Sequence, residues 1–270
     1  MTRGQLPGLL CVLLAEALLA ACSATAPSAT TFTATPSTSP SAGPTPEFRV
    51  ASIVALGDSV PRGTNCDCRP YPDLTGDQLS AAAGRTVPAT NDSVAGSTTD
   101  GVLGQLTSQQ DVMADVGPAD VVEIEVGAND VAHFPGCGTS LDCYTPDLPQ
   151  LEKNLTAIVA RVHDLTAGHP VLVVLLDYWS VWLGGAYAAE QGQAYVATAQ
   201  ELTDQVNGAI RSVASASGSA YVDLRAAFKG PDYSYDETHY LSDDGDHPNA
   251  AGHQQIATAA VGVIESALQP

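Results

Sequence analysis

The chain contains 270 residues, of which 44% are hydrophobic, and it carries 30 acidic against 10 basic side chains. The formal net charge at pH 7 is therefore −20, and the pI is about 4.2. A surface this acidic argues against binding to nucleic acid or to anionic lipid, and it favours solubility outside the cell.

The first 22 residues have the pattern of a bacterial lipoprotein signal peptide. Arg3 supplies a positive charge near the start, an apolar run extends from Leu9 to Ala21, and Cys22 follows. The run is short for a membrane span, which takes about 20 apolar residues. We therefore predict cleavage before Cys22, lipidation of Cys22, and a protein anchored at the extracellular face of the cell membrane. The alternatives are an ordinary secretory signal, which would give a secreted protein, and an uncleaved anchor.

Residues 23–47 consist almost entirely of Ser, Thr, Ala and Pro, and Glu47 is the first charged residue among them. Such a composition has no apolar pattern with which to bury a core, so we predict a disordered tether. Residues 48–270 have the length of one α/β domain and contain no internal repeat. We expect them to form a single folded domain and the protein to be a monomer.

Apolar runs that end in turn residues alternate with amphipathic stretches along this domain, a pattern typical of βαβ units and a parallel sheet. The clearest helix is 148–167, where apolar residues fall on one face and Gly168 follows. The continuous apolar run at 170–176 predicts a central strand buried on both faces. The predicted strands are 50–56, 86–91, 121–126, 170–176 and 220–224, and the predicted helices are 71–84, 100–116, 148–167, 191–217 and 249–268.

Four cysteines lie within the domain, and an exported protein would carry them in an oxidising compartment where disulfides persist. Cys137 and Cys143 bracket a short loop that a disulfide would close. Cys66 and Cys68 are separated by one residue, so they either bond to each other in a tight ring or each cross to one of the later pair. The sequence leaves the pairing open. Zinc binding by all four cysteines is the weaker alternative, because their spacing is not that of a zinc finger.

Three of the predicted strands end in loops that carry Ser59, Gly96 and Asn129. The carboxyl ends of parallel strands meet at one edge of the sheet, where ligands bind in open α/β proteins. Ser59 is a candidate nucleophile. The backbone N–H groups of Ser59 and Gly96 and the side-chain amide of Asn129 are candidate donors to the oxyanion of a tetrahedral intermediate. Each of these residues is also a common turn former, so the prediction depends on their combination.

A nucleophilic serine needs a base, and His247 is our candidate, with Asp244 three residues earlier to accept a hydrogen bond from one ring nitrogen. Asp236 and His239 have the same spacing. We prefer Asp244 and His247 because Pro248 marks the start of a helix that would hold the base rigidly. A metal site formed by His239, His247 and the acidic residues between them is the alternative.

The four loop segments resemble those of the SGNH (GDSL-type) esterases and lipases, and they occur in the order of that family over most of residues 50–252. The resemblance rests on Gly57-Asp58-Ser59, Gly96 in Asn-Asp-Ser-Val-Ala-Gly, Gly127-Ala-Asn129-Asp130 and Asp244-Gly-Asp-His247-Pro248. The last segment makes it specific. The family usually has a leucine after its serine, whereas Val60 and Pro61 follow here, a departure that affects the next helix and the acyl pocket.

The resemblance implies an α/β fold, namely a flavodoxin-like three-layer sandwich with a parallel sheet of about five strands. It implies that residues 48–270 are a catalytic domain that hydrolyses esters and uses no metal and no organic cofactor. The implied site residues are the nucleophile Ser59, the general base His247, its orienter Asp244 and the oxyanion donors Gly96 and Asn129. We interpret Asp58 and Asp130 as residues that fix loops.

The natural ester stays open, since the resemblance allows short acyl esters, O-acetyl groups of carbohydrates and lipids. Four aromatic residues after the fourth strand either wall a substrate cleft, with Gly184 and Gly185 forming a mobile loop, or pack beneath that loop. They are Tyr178, Trp179, Trp182 and Tyr187. Two competing functions are a lipid-anchored solute-binding protein and a catalytically silent adhesion protein on the same fold. The first does not explain a serine, an asparagine and an Asp/His pair at successive strand ends, and the intact Ser59 and His247 count against the second.

Overall fold

The computed structural model describes residues 49–269. The predicted signal peptide, its lipidation site Cys22 and the predicted tether lie outside these residues. The described residues form a five-stranded parallel sheet in the order β2-β1-β3-β4-β5. The strands are β1 Ile53–Gly57, β2 Ala89–Asn91, β3 Val121–Glu125, β4 Leu172–Leu176 and β5 Ala220–Val222.

Helices cover both faces of the sheet, which makes the three-layer α/β/α sandwich that the sequence predicts. One face carries α2 and α9, and the other carries α3, α5 and α7. No helix within residues 49–269 is long and apolar enough to cross a membrane. The helices are α1 Ser59–Arg62, α2 Tyr71–Ala83, α3 Thr99–Ser108, α4 Gln110–Val116, α5 Leu148–Leu165, α6 Gly185–Glu190, α7 Gln193–Ser217, α8 Leu224–Lys229 and α9 Ala250–Ala267.

The strand order sets the position of a ligand-binding crevice. After β1 the chain crosses to β2 on one side, and it then returns to place β3 on the other side of β1. In open α/β sheets, ligands bind beyond the carboxyl ends of the strands at this switch point, because the loops there diverge. The loops that follow β1 and β3 carry Ser59 and Asn129, so both predicted residues lie at the crevice.

The sheet is held between two buried layers of side chains. Ile53 in β1 pairs with Ala89 on one side and Val121 on the other, and Ile53 and Val121 are fully buried. The apolar run of β4 is buried from Val173 to Leu176, as expected for a strand covered on both faces. Burying each of these side chains contributes about 1.5–3 kcal/mol of hydrophobic stabilisation, so the strand ends that carry the loops are rigidly placed.

The predicted helix 100–116 is wrong in its continuity, since it divides into α3 and α4 at Gln109. That residue has extended backbone angles of φ −98° and ψ 109°. The hydroxyls of Thr107 and Ser108 donate to backbone carbonyls one turn back, and such bonds compete with the regular helix ladder. The short helices α1, α6 and α8 have only 4 to 6 residues, too few to produce a recognisable period in the sequence.

Candidate active site

The turn between β1 and α1 presents Ser59 at the edge of the sheet. Gly57 has a φ of 151°, and a Cβ there would overlap the backbone carbonyl oxygen of Glu125 in β3. Only glycine fits this position, because the left-handed conformation and the close approach both exclude a side chain. Asp58 then caps α1, and Ser59 is the first residue of that helix and is partly exposed.

Asp58 is buried and holds the turn. Its carboxylate accepts hydrogen bonds from the backbone N–H of Val60 at 3.0 Å and from the hydroxyl of Tyr178 at 2.6 Å. Burial raises the pKa of Asp58 to about 6, although these hydrogen bonds and the nearby His247 lower it. The contacts agree with the sequence-based interpretation that Asp58 fixes the loop.

His247 and Asp244 form the hydrogen-bonded pair that their spacing predicts. His247 Nδ1 lies 2.7 Å from Asp244 Oδ2, while Asp244 Oδ1 accepts from the backbone N–H groups of Asp246 and His247, each at 3.0 Å. Burial opposes ionisation of Asp244, but these backbone hydrogen bonds and those from the side chains of Asn65 and His247 outweigh it and lower its pKa to about 2. The carboxylate is therefore charged at neutral pH, and it fixes the ring so that Nε2 is the nitrogen left for the serine.

One cavity of about 410 Å³ brings Ser59, Asn129 and His247 together. The side-chain amide of Asn129 donates to the carbonyl oxygen of Ser97 at 3.0 Å, which orients it and leaves its second N–H group free for a ligand. Asn129 is also held by its neighbour Asp130, whose carboxylate accepts from the backbone N–H and the hydroxyl of Thr99 at 2.9 and 2.6 Å. This matches the predicted loop-fixing role of Asp130.

Gly96 is placed less directly than the sequence suggests. It has a φ of 78°, as expected for a turn glycine, but it is exposed and is not among the residues that line the cavity. Its loop contacts the site through Ser97, whose carbonyl oxygen accepts from Asn129. A contribution of the Gly96 N–H group to an oxyanion site stays a prediction.

The rejected pair Asp236 and His239 lies elsewhere. Asp236 Oδ1 accepts from the backbone N–H of Thr238 at 2.9 Å and from its hydroxyl, and the His239 ring packs on the ring of Tyr240 with centroids 3.9 Å apart. Neither Asp236 nor His239 lines the cavity that contains Ser59. Of the two pairs, Asp244 and His247 have the geometry of a base and its orienter, because their side chains are hydrogen-bonded and His247 lines the cavity with Ser59.

Aromatic side chains form much of the wall of the cavity, as one of the two sequence-based interpretations expects. The buried residues Tyr178, Trp179 and Trp182 line it. His133 and Tyr195 also line it and were not predicted, because they lie on other elements and contact Trp182 only in the folded chain, with ring centroids 4.8 and 5.3 Å from that of Trp182.

Tyr187, Gly184 and Gly185 lie outside the cavity and pack against neighbouring loops. Tyr187 packs so closely on Gly245 that a Cβ at Gly245 would overlap it. The N–H of Gly184 donates to the carbonyl of Gly245 at 2.8 Å, and the N–H of Gly185 donates to Glu237 at 2.9 Å. Hydrogen bonds therefore tie Gly184 to the loop that carries His247 and Gly185 to Glu237, and the mobility of the two glycines stays a prediction.

The cysteines pair locally, as Cys66–Cys68 and Cys137–Cys143. This is the local pairing among the three that the sequence leaves open. Cys66 and Cys68 also lie beside the buried His253, with both sulfurs and a ring nitrogen within 4.8 Å of one another. Since both sulfurs take part in the disulfide, they are not available as thiolate ligands for a metal.

Two buried carboxylic acids behind the site were not predicted. Glu123 and Glu125 in β3 are fully buried. Burial raises the pKa of Glu123 to about 8, with the Thr75 hydroxyl offsetting part of the effect, and it raises the pKa of Glu125 well above its ordinary value. Glutamates that alternate with aliphatic residues in a strand usually mark a solvent-facing side, so the sequence offers no signal for the burial of Glu123 and Glu125.

Comparison with known proteins gives a family match and solved structures with a similar fold. The sequence model of the GDSL-like Lipase/Acylhydrolase family matches residues 55–255. A search among curated proteins finds no significant match. Among solved structures, a lipase from a goat rumen metagenome is 21% identical with a TM-score of 0.63, over 78% of this chain and 97% of its own.

Two further structures have the same fold. An acetylxylan esterase from Geobacillus stearothermophilus is 20% identical with a TM-score of 0.59, over 81% of this chain and 96% of its own. A lipase/acylhydrolase from Enterococcus faecalis is 20% identical with a TM-score of 0.56, over 81% of this chain and 97% of its own. At these identities the likeness concerns the fold, while the family match covers most of the chain.

Proposed function

This chain belongs to the GDSL-like lipase/acylhydrolase family and is a carboxylester hydrolase, and on that premise we propose that it acts through an acyl-enzyme on Ser59. The observation that carries the proposal is the convergence of Ser59 with His247 in one cavity, with Asp244 bonded to the far side of the imidazole. A hydroxyl, an imidazole and a carboxylate in this arrangement are the components of nucleophilic acyl transfer.

In the proposed first step, Ser59 Oγ attacks the ester carbonyl carbon and gives its proton to His247 Nε2. Asp244 accepts the hydrogen bond from Nδ1 and stabilises the imidazolium. The tetrahedral intermediate then collapses, the C–O bond to the alcohol breaks, and the imidazolium returns the proton to the departing alkoxide. A water molecule gives a proton to His247 and attacks the acyl carbon; the ester bond to Ser59 Oγ then breaks, the imidazolium returns the proton to Oγ, and the carboxylic acid leaves.

The negative charge on the intermediate needs donors placed in advance. The backbone N–H of Ser59 is available at the first turn of α1, and Asn129 lines the same cavity with one amide N–H already used by Ser97. We assign these two groups, with the Gly96 N–H as third donor, to the oxyanion hole. Gly96 would need its loop to move inward when substrate binds, because it does not line the cavity in the free protein.

The lining of the cavity favours a short acyl group on a polar alcohol. Its aromatic walls alternate with polar groups, among them Asn129, Ser180, Gln191 and Asp246. A volume of about 410 Å³ suits a small ligand. The net charge of −20 also disfavours approach to an anionic lipid surface. One structural neighbour is an acetylxylan esterase. We infer an O-acetylated carbohydrate or another short-chain ester as substrate.

We further propose that the enzyme works outside the cell as a monomer, anchored through Cys22 by the predicted lipobox and tether. This part of the proposal rests on the sequence of residues 1–47 alone. Globomycin, an inhibitor of lipoprotein signal peptidase, tests the anchor: the protein should accumulate in its longer form when the drug is present. A Cys22→Ala variant should do the same without the drug.

The substrate class is tested with the full chain on nitrophenyl acetate, butyrate and palmitate and on an acetylated xylo-oligosaccharide. We expect kcat/KM to fall by at least about tenfold from acetate to palmitate, since each added methylene must find apolar surface in a mixed cavity. Ser59→Ala is the control and should lose at least about 1,000-fold. Equal rates on acetate and palmitate would contradict the short-acyl assignment, and turnover surviving in Ser59→Ala would contradict the mechanism.

A further inference from the structure

The side chain of Asn65, in the turn shortly after the proposed nucleophile Ser59, contacts the carboxylate of Asp244. Its side-chain amide Nδ2 donates to Asp244 Oδ2 at 2.5 Å and lies 3.4 Å from His247 Nδ1. We propose that Asn65 is a positioning residue for ester hydrolysis, which holds the Asp244 carboxylate in the plane that supports His247. The inference rests on the roles proposed above for Ser59, His247 and Asp244.

The turn that carries Asn65 is bonded to the backbone of Ser59. Helix α1 ends at Arg62 with Gly63 as its C-cap, and the N–H of Thr64 donates to the carbonyl oxygen of Ser59 at 3.0 Å. The next residue is Asn65, whose amide reaches Asp244. The turn at Thr64 and Asn65 therefore links the backbone of Ser59 to the Asp244 carboxylate. It thereby helps to set the distance between Ser59 and the His247–Asp244 pair.

Hydrogen bonds occupy both oxygens of the Asp244 carboxylate. Oδ1 accepts from the backbone N–H groups of Asp246 and His247, and Oδ2 accepts from Asn65 as well as from the His247 ring. With donors on both oxygens the carboxylate cannot rotate without losing at least one charge-assisted hydrogen bond. Without Asn65, only the imidazole would hold Oδ2, and the partly exposed Asp244 side chain would turn towards water.

The backbone of Asn65 has a left-handed conformation that suits asparagine. Its φ is 57°, in the left-handed region that few residues other than glycine, asparagine and aspartate adopt. The adjoining Cys66–Cys68 disulfide closes a small ring directly after it and restricts the turn. The turn therefore holds the Asn65 side chain towards Asp244 and His247.

Comparing Asn65→Gly with Asn65→Ala distinguishes a role of the Asn65 amide from a role of the Asn65 backbone in the turn. Glycine adopts the left-handed backbone freely but has no amide, whereas alanine lacks the amide and also strains the turn. If the amide matters, Asn65→Gly should lower kcat about tenfold with KM within about twofold, as expected for loss of one charge-assisted hydrogen bond that acts in the transition state. Asp67→Asn, in the same disulfide ring and exposed, is the matched control and should keep its activity.

Asn65→Asp tests whether the side chain at position 65 faces the imidazole of His247. It keeps the shape of the side chain but adds a negative charge beside His247, which favours the imidazolium. The other titratable groups around His247 are Asp244 and Asp246 on its own loop, Asp58 beyond β1 and His253 on α9. The variant retains all of these residues; Asp244 exchanges the Asn65 donor for a second carboxylate but keeps its two backbone donors. The acidic limb of the kcat/KM profile should therefore move to higher pH by about one unit.

The outcomes are distinct. A tenfold loss in Asn65→Gly together with the shifted limb in Asn65→Asp supports the proposal. Wild-type kcat in Asn65→Gly, or an unshifted limb in Asn65→Asp, overturns it and leaves Asn65 as a turn residue. Should Asn65→Ala fail to fold, as judged by circular dichroism, the glycine variant still decides. Turnover that survives in Ser59→Ala would instead overturn the proposed function, independently of Asn65.

Discussion

The hydroxyl of Tyr178, directly after β4, donates a 2.6 Å hydrogen bond to the carboxylate of Asp58, the residue before Ser59. Both side chains are buried, and the two positions are 120 residues apart in the chain. The other carboxylate oxygen of Asp58 caps the first turn of α1 through Val60. The position of Ser59 is therefore set by a residue in the loop that follows a different strand.

Replacing Tyr178 with phenylalanine should loosen this turn. The change removes one buried donor to a carboxyl group and should lower the free energy of unfolding by about 1–3 kcal/mol. We expect kcat to fall severalfold, because Ser59 would be less precisely placed. Urea unfolding and steady-state kinetics measure the two effects. Tyr235→Phe, at an exposed position, is the control. A Tyr178→Phe variant as stable and as active as the wild type would show that the hydrogen bond has no positioning role.

The choice between the two Asp/His pairs is tested by two single variants. His247→Ala should reduce ester turnover at least about 1,000-fold, whereas His239→Ala should keep most of it. The reason is that His247 lines the cavity with Ser59, while the ring of His239 packs on Tyr240. Initial rates with nitrophenyl acetate are sufficient. Equal losses in the two variants would mean that the base has been assigned to the wrong histidine.

Ser59 and His247 should behave as a unit. Either alanine variant alone is expected to lose nearly all nucleophilic catalysis, so the double variant should cost little more than the more damaging single one. The comparison needs kcat for wild type, both single variants and the double variant, each corrected for spontaneous hydrolysis. Losses that add on a logarithmic scale would indicate that the two residues act independently, against the proposed proton transfer.

The buried Glu123 makes stability depend on pH. Burial raises its pKa to about 8, above the ordinary value, so the folded protein binds a proton that the unfolded chain has released. This contribution to stability is complete below the unfolded pKa of about 4.3 and is lost as the pH rises through about 8.

We expect the unfolding free energy from urea denaturation to be lower at pH 9 than at pH 5, with Glu123 accounting for on the order of 3 kcal/mol. Glu123→Gln stays neutral at both pH values and should remove that part of the decrease. Glu265→Gln, at an exposed position on α9, should leave it unchanged. An identical decrease in Glu123→Gln and wild type would show that another group causes it.

The sequence predicts the order of strands and helices because strands such as β1 and β4 are short apolar runs and the longer helices show a clear period. It also predicts Ser59, Asn129 and His247, since residues at the ends of parallel strands must converge and a base before a helix start can return to them. The boundaries are less exact: β2 begins at Ala89 where 86 was expected, and the predicted helix 100–116 breaks at Gln109.

The remaining parts of the site depend on partners that are distant in the chain. Asn65 meets Asp244 across 179 positions, and no local pattern around Asn65 indicates that contact. The burial of Glu123 likewise depends on α2, whose Thr75 contacts it, and not on its neighbours in the sequence. A single sequence shows which residues can do chemistry more readily than it shows which residues hold them in place.

The measurement that tests the central claim most directly is fluorophosphonate labelling of the full chain, read by intact mass, with Ser59→Ala and His247→Ala beside the wild type. A fluorophosphonate reacts with an activated serine hydroxyl and displaces fluoride. We predict one adduct on the wild type, none on Ser59→Ala, and greatly slowed labelling of His247→Ala. An adduct that persists in Ser59→Ala, or an unlabelled wild type that still hydrolyses nitrophenyl acetate, would contradict an acyl-enzyme on Ser59.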